Sequence, residues 1–250
     1  MVALLELLHD HGMLSLTTIA DQLGASVATI RRDVAELAGQ GLVERTHGGC
    51  RPTRLGRSEL PVRFRDGRQA EAKRAIAALV AAEIPPGRHA IALTGGSTTA
   101  AVLRALKDRD DLTIITNSIS VGLEAAELEQ RRVLIAGGVL RPSSLELVGS
   151  LTEQTMQLIH VDTAIVGADG CTVDHGITTH DETEARTNHL MIERARRVVV
   201  AIDSSKLGQV TPAPILPLAQ VDVLITDDHA PAQEIEALRA AGVDVLVASA

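Results

Sequence analysis

The chain has 250 residues and a formal net charge of −8, with 24 lysines and arginines against 32 aspartates and glutamates. This acidic balance excludes a protein that coats nucleic acid over its whole surface, so any site for a polyanion must be local. With one phenylalanine, no tyrosine and no tryptophan, the core is expected to consist of Leu, Ile, Val and Ala. The two cysteines, Cys50 and Cys171, form no C-x-x-C pair, which argues against a disulfide framework and a cysteine zinc site.

The N-terminal stretch VALLELLHDHG has no basic flank and becomes charged after a few residues, unlike a secretory signal peptide. No apolar run reaches the ~18 residues that are needed to span a bilayer. We therefore expect a cytoplasmic protein without a membrane partner.

The first 55 residues predict three short helices and a hairpin. Apolar spacing indicates helices over residues 2–9 and 17–23, with Thr17 as the N-cap of the second helix and Gly24 at its end. Ser26 is expected to cap a third helix that runs to about residue 39. The segment LVERTHGGCR then reads as a strand, a Gly-Gly turn and a returning strand.

The third helix has one apolar face and one face of small and basic residues. Ile30, Val27, Val34 and Leu37 share the apolar side at helical spacing. Small residues on the other side would let the helix approach a DNA groove, and the adjacent arginines would reach phosphates or a guanine edge. A solvated charged face is the alternative. The hairpin tip adds basic residues, and the candidate DNA-binding residues are Ser26, Ala28, Thr29, Arg31, Arg32, Arg45, His47 and Gly48.

Basic residues are concentrated near this hairpin, because Arg51, Arg54 and Arg57 follow it. Such a local cluster in an acidic chain is typical of a small DNA-binding module. Residues 51–68 are rich in arginine, proline and glycine and have little periodicity, which indicates a connection between domains. We predict a DNA-binding domain over 1–55, a linker over 56–69 and a second domain over 70–250.

From residue 70 onward, runs of Val and Ile alternate with segments of helical length. This alternation predicts an α/β domain with a mostly parallel, doubly wound sheet. The predicted strands are residues 89–94, 112–117, 132–138, 162–168, 197–203, 222–228 and 244–249.

A glycine-rich turn after the first of these strands is a candidate anion site. Backbone N–H groups, a helix dipole and hydroxyl groups would together favour a phosphate there. Because the Walker lysine and a G-x-G-x-x-G run are both absent, a single phosphate group on a small ligand fits better than a nucleotide. A purely structural turn is the alternative. The residues of this turn are Gly95, Gly96, Ser97, Thr98 and Thr99.

Further polar residues follow other strands, where a parallel sheet collects ligand-binding groups at its carboxyl edge. An amide, a carboxylate and an ammonium around a hydroxyl cradle would bind a phosphorylated sugar. Loop capping or simple solvation is the alternative for each of them. The candidates are Asn117, Gly138, Asp169, Asp203 and Lys206.

The motifs together resemble the DeoR family of bacterial transcription regulators. The resemblance lies in Ser26, T-I-R-R-D at 29–33 and H-G-G at 47–49, and continues in GGSTT, TNS, DSSK and LITDD. It implies an α+β winged helix-turn-helix followed by a sensor domain similar to the sugar-phosphate isomerase and CoA-transferase type. It also implies operator DNA, a phosphorylated sugar and further copies of the chain, as a dimer or tetramer, as partners, and no cofactor or metal. The sequence departs from the family in the stretch D-x-G-T-T, where the acidic residue is missing.

Two alternatives to a ligand-responsive repressor are an enzyme and a metabolite-binding protein whose helix-turn-helix pairs with another protein. A sugar-phosphate isomerase-like enzyme would need a general base, for which Asp169, Glu182 and Asp203 are candidates, but nothing beyond the implied fold favours turnover. A metal site around His180 and His189 is disfavoured, because their spacing does not place them on one helix face. The sequence therefore predicts a regulator and not an enzyme.

Overall fold

The structure is a computed structural model that describes residues 1–53, 61–128 and 132–249. Its contacts divide the chain into two compact units, Met1–Gly67 and Arg68–Ala250. Residues 61–67 of the expected linker fall in the first unit, where Phe64 is buried in the core. The remainder of that linker before residue 61, with Arg54 and Arg57, lies outside the described residues. The domain boundaries stay a prediction.

The first unit has three main helices, a small sheet and one short helix. The helices are α1 (Val2–His11), α2 (Leu16–Leu23), α3 (Val27–Gly39) and α4 (Val62–Arg65). The antiparallel sheet has the order β1–β3–β2 and consists of β1 (Leu14–Ser15), β2 (Val43–Thr46) and β3 (Gly49–Pro52).

The helix ends follow from local hydrogen bonding, with one correction to the prediction. The N-cap of α2 is Ser15 and not Thr17, because Oγ of Ser15 accepts a hydrogen bond of 3.0 Å from the N–H of Thr18 and the helix already begins at Leu16. Gly24 ends this helix in the left-handed region at φ 60°.

The core of the first unit contains the predicted face of α3. Ile30, Val34 and Leu37 are buried, and Val27 packs against them from the first turn. They join apolar residues of α1 and α2, so α3 is held by one face and its other face is left at the surface.

The second unit is built on a seven-stranded parallel sheet, as the sequence predicts. The strands are β4 (His89–Leu93), β5 (Leu112–Thr116), β6 (Arg132–Ile135), β9 (Val161–Val166), β12 (Ala195–Ala201), β14 (Val223–Asp227) and β15 (Asp244–Ala248). Their order is β15–β14–β12–β9–β4–β5–β6, and neighbouring strands pair in parallel throughout.

Helices cover both faces of this sheet. One face packs on α5 (Ala70–Glu83), α6 (Ser97–Ala105) and α7 (Ile119–Ala126), and the other on α8 (Ser150–Gln157), α9 (Glu182–Ile192) and α10 (Ala232–Ala240). The α/β class with a mostly parallel sheet is therefore confirmed. Across the described ranges, every helix is too short or too polar to cross a bilayer.

Two small antiparallel sheets were not predicted. One pairs β7 (Val139–Arg141) with β8 (Glu146–Val148), and the other has the order β10–β11–β13, with β10 (Gly170–Thr172), β11 (Gly176–Thr179) and β13 (Ala213–Leu216). These strands are three or four residues long. Such short strands contain too few residues for a clear alternation, so periodicity gives little indication of them.

Candidate functional site

The outer surface of the first unit carries the predicted DNA-binding residues. All of them are exposed: Ser26, Ala28, Thr29, Arg31, Arg32, Arg45, His47 and Gly48. They come from the start of α3 and from the hairpin of β2 and β3.

Ser26 and Thr29 also stabilise the start of α3. Oγ of Ser26 accepts a hydrogen bond of 3.1 Å from the N–H of Thr29, and the two hydroxyl oxygens lie 2.8 Å apart. This cap fixes the first turn of α3. A contact of either hydroxyl with DNA would therefore be made by a group that is already oriented.

The arginines on this surface differ in how they are engaged. Arg51 pairs with Glu44 across the hairpin at 2.8 Å. By contrast, Arg31, Arg32 and Arg45 form no hydrogen bond or ion pair through their guanidinium groups with any described residue. These three groups are therefore available to a phosphate backbone or a base edge.

The hairpin needs both of its adjacent glycines. Gly48 has φ 80°, a conformation that favours glycine, and its carbonyl accepts a hydrogen bond of 3.1 Å from Leu16. A Cβ on Gly49 would lie 2.3 Å from the carbonyl oxygen of Leu14, because β3 lies directly against β1. The tip is therefore tied to the start of α2.

In the second unit, the turn between β4 and α6 has the features of an anion site. Gly96 has φ 135°, and no described side chain caps α6. Ser97 and Thr98 are each 8% exposed at the first helical positions, and Thr99 is fully buried, with its hydroxyl donating to the Gly96 carbonyl at 3.0 Å. Uncapped N–H groups at a helix start favour an anion.

A carboxylate that the sequence analysis missed lies against this turn. Oε1 of Glu146, on β8, accepts a hydrogen bond of 2.7 Å from the N–H of Gly95. A Cβ on Gly95 would lie 2.4 Å from Cγ of Glu146, so only glycine allows this approach. Glu146 is 1% exposed.

Glu146 faces a second buried carboxylate, Glu184 of α9. Burial raises the pKa of Glu146 well above its ordinary value, and the neighbouring Glu184 raises it further. Glu184 is better compensated, because it accepts hydrogen bonds from Arg141 at 2.9 Å and from the Thr179 hydroxyl at 2.7 Å. Arg141 also pairs with Asp181, the N-cap of α9, at 3.3 Å.

The same hydrogen bonds continue to two of the predicted residues. The Thr179 hydroxyl also lies 3.1 Å from Oδ2 of Asp169, and Nζ of Lys206 lies 3.5 Å from Oδ1 of that carboxylate. The loop that carries Asp169 touches the glycine-rich turn, because the N–H of Gly167 donates to the Thr94 hydroxyl at 3.1 Å.

Asn117 joins from the end of β5. Its Nδ2 donates to Oδ1 of Asn188 at 3.1 Å, and Nδ2 of Asn188 donates to Oε1 of Glu146 at 3.4 Å. Asn117 is fully buried, and its Oδ1 has no hydrogen-bond partner among the described residues. We call the linked groups the polar network: Gly95, Asn117, Arg141, Glu146, Asp169, Thr179, Asp181, Glu184, Asn188 and Lys206.

Two other predicted ligand-binding residues, Gly138 and Asp203, have local packing and turn contacts. A Cβ on Gly138 would lie 2.0 Å from Oγ1 of Thr152, so this glycine allows close packing on α8. Asp203 is buried and accepts hydrogen bonds from the N–H (3.1 Å) and the hydroxyl of Ser205. Its carboxylate therefore shapes the turn that carries Lys206. The Asp203 carbonyl also accepts a hydrogen bond of 3.0 Å from the N–H of Lys206, which connects this turn to the polar network.

Three residues of the polar network that were not predicted, Glu146, Glu184 and Asn188, are only weakly indicated by the sequence. Glu146 is a single acid inside the apolar run LELV, and Glu184 and Asn188 are four residues apart on a helix. A lone buried acid and an i, i+4 polar pair on an inner helix face are both unusual. Glu182, a candidate general base for the alternative enzyme, is exposed.

An exposed basic helix with its hairpin, followed by an α/β unit with a polar site at the strand ends, defines a DNA-binding regulator with a sensor domain. The family described as DeoR-like helix-turn-helix domain matches residues 2–53, and the DeoR C terminal sensor domain matches residues 68–228. The chain belongs to the DeoR family of transcription regulators, as its motifs indicated.

Named relatives align over nearly the whole chain. The HTH-type transcriptional regulator GlpR of Haloferax volcanii is 36% identical over 97% of this chain and 94% of its own. The putative aga operon transcriptional repressor of Escherichia coli O157:H7 is 33% identical over 98% and 91%. The glycerol-3-phosphate regulon repressor of Escherichia coli K12 is 32% identical over 94% and 92%.

A solved structure aligns with part of the chain. Ribose 5-phosphate isomerase A of Methanocaldococcus jannaschii covers 55% of this chain and 54% of its own, at 19% identity and a TM-score of 0.42.

Proposed function

We propose that this regulator is a repressor that binds operator DNA through α3 and the β2–β3 hairpin, and that a phosphorylated sugar controls it from the second unit. Two relatives are named as repressors, which supports repression of transcription over activation. Their names also support effectors of the glycerol phosphate or sugar phosphate type. The proposal rests on one observation: the same chain has an exposed basic surface that suits DNA and a buried polar network that suits a small ligand.

The DNA-binding part of the proposal depends on Arg31, Arg32 and Arg45. Their guanidinium groups are exposed and unpaired within the described part of the chain, in a protein whose net charge is −8. One unit that contacts about 4–5 phosphates would bind weakly at physiological salt. We therefore propose that the protein acts as a homo-oligomer, a dimer or a tetramer, which places two reading helices on one operator.

The effector site is proposed to lie where the turn after β4 meets the loop that carries Asp169. The phosphate would bind the N–H groups at the start of α6, with Ser97 and Thr98, and the ammonium of Lys206 would add positive charge. The hydroxyl groups of the sugar would bind Asp169 and Asn117, whose amide oxygen accepts no hydrogen bond from the described residues.

The experiment is a DNA-binding titration of the full chain with a promoter fragment, repeated with phosphorylated sugars and with their unphosphorylated forms. We expect steeply salt-dependent binding that a phosphorylated sugar weakens and its unphosphorylated form does not. A regulator without a phosphate site would respond equally to both forms.

A further inference from the structure

The polar network contains more negative charge and more hydrogen-bond acceptors than its own residues compensate. Its carboxylates are Glu146, Asp169, Asp181 and Glu184, and its cations are Arg141 and Lys206. Arg141 contacts Asp181 and Glu184, and Lys206 contacts Asp169. No described lysine or arginine forms an ion pair with Glu146, which is the most deeply buried of the four carboxylates.

Groups from several described elements face Glu146, and Ser118 at the start of α7 pairs with its backbone. Glu184 and Asn188 face it from α9, Gly95 faces it from the turn before α6, and Arg141 lies beside it in the β7–β8 pair, engaged with Glu184. The two neutral donors, the Gly95 N–H and the Asn188 amide, both reach Oε1. Burial and the neighbouring Glu184 raise the pKa of Glu146, so this carboxyl binds a proton more tightly than a free glutamate does.

A second observation shows that the site lacks a donor. The amide of Asn117 uses Nδ2 to reach Asn188, and its buried Oδ1 accepts nothing from any described residue. A buried acceptor without a donor costs free energy in the unliganded protein. A ligand group that fits beside these residues must therefore donate hydrogen bonds and bring positive charge.

We infer that the effector carries a protonated amino group in addition to its phosphate, and that this ammonium binds between Glu146 and Glu184. The inference rests on the proposed phosphate site at α6. A phosphate alone would add about 1.5 to 2 negative charges to a network that is already acidic. An amino sugar phosphate adds less net negative charge, and its ammonium replaces the proton that Glu146 binds.

Calorimetry on the full-length protein tests this with matched pairs of probes. The pairs are glucosamine 6-phosphate with glucose 6-phosphate, and galactosamine 6-phosphate with galactose 6-phosphate. In at least one pair, the amine is expected to bind at least about tenfold more tightly, because an ion pair replaces a buried neutral contact. The amine should also release about one more proton per site than its partner, measured from the dependence of the heat on the buffer. N-acetylglucosamine 6-phosphate, which has no charge on nitrogen, should behave like glucose 6-phosphate.

Two variants locate the effect. Glu146→Gln should bind both members of a pair with similar affinity and release no additional proton. Glu182→Gln, an exposed acid on the same helix as Glu184, should keep the wild-type preference. If Glu146→Gln does not fold, the proton release of the wild-type protein decides the question by itself.

The outcomes separate this inference from the proposed function. Equal affinities and equal proton release within every pair would overturn the amino group and leave a phosphorylated sugar as the effector. An amine preference that Glu146→Gln retains would place the ammonium elsewhere and would also overturn it. If no phosphorylated sugar of the panel binds, the proposed phosphate site and this inference both fail.

Discussion

The backbone N–H of Gly95 donates a hydrogen bond of 2.7 Å to the carboxylate of Glu146, 51 residues further along the chain. This bond brings β8 against the glycine-rich turn and connects the expected phosphate cradle with the other polar groups. Since Glu146 is joined to Glu184, and through Thr179 to Asp169 and Lys206, one set of contacts extends across the carboxyl edge of the sheet.

Gly95→Ala should disrupt this junction. Its Cβ would lie 2.4 Å from Cγ of Glu146, so we expect a loss of roughly 1–3 kcal/mol in the free energy of unfolding and a weaker response to effector. Gly137→Ala is the matched control, because a Cβ there meets no atom within 4 Å. Thermal unfolding with and without a phosphorylated sugar measures both effects. An unchanged melting temperature in Gly95→Ala would contradict the described contact.

Glu146→Gln should change how stability depends on pH. The pKa of Glu146 is raised in the folded protein, chiefly by burial, above the ordinary value of 4.5. The folded state then binds a proton more tightly than the unfolded state, so wild-type stability falls as pH rises from about 4.5 towards the raised pKa. The stability of the variant relative to wild type should therefore increase between pH 5 and pH 8.

Thermal unfolding at several pH values checks this prediction. Glu182→Gln, at an exposed acid of the same helix as Glu184, is the control for the loss of a surface carboxylate. If the difference between Glu146→Gln and wild type does not vary with pH, Glu146 is ionised in the folded protein.

Arg32→Ala should weaken operator binding and leave effector affinity unchanged. Its guanidinium group is exposed and unpaired within the described ranges. If Arg32 contacts a phosphate, the salt slope should fall by about 1, and if it reads a base, about 1–3 kcal/mol and some sequence preference should be lost. Fluorescence anisotropy at several salt concentrations distinguishes these results. Arg51→Ala is the control, because Arg51 is paired with Glu44 and should matter less.

Lys206→Met should weaken the effector response while DNA binding persists. Its ammonium lies 3.5 Å from Asp169 and is the one predicted cation of the ligand site. Loss of a charge-assisted phosphate contact is expected to weaken effector affinity by about 1.5–3 kcal/mol, or roughly 10- to 150-fold. Lys107→Met, at an exposed lysine of the same unit, should respond as wild type does. A Lys206→Met protein that releases DNA at the normal effector concentration would place Lys206 outside the site.

The sequence was sufficient to predict features that follow from local periodicity. Runs of Val and Ile marked all seven parallel strands, and the spacing of Ile30, Val34 and Leu37 fixed the inward face of α3. Ser26 could be predicted as the N-cap of α3 because its capping hydrogen bond reaches only as far as Thr29.

The composition of the polar network was harder to predict, because tertiary pairing determines it. Glu146 reaches Gly95 only because β8 pairs with β7, a strand of three residues without a clear pattern. Asp203 and Gly138 were chosen from motifs, and the turn and packing contacts that they make could not be read from the sequence. Proximity between distant segments, such as Asn117 and Asn188, leaves no periodic trace in the chain.

The most direct test of the account is a titration of the full-length protein against a duplex promoter fragment at increasing salt, with and without phosphorylated sugars. The account predicts binding that falls steeply with salt and that at least one phosphorylated sugar shifts by about 5- to 150-fold, which corresponds to a coupling of 1–3 kcal/mol. Binding that is absent at low salt, or that no phosphorylated sugar alters, would contradict it.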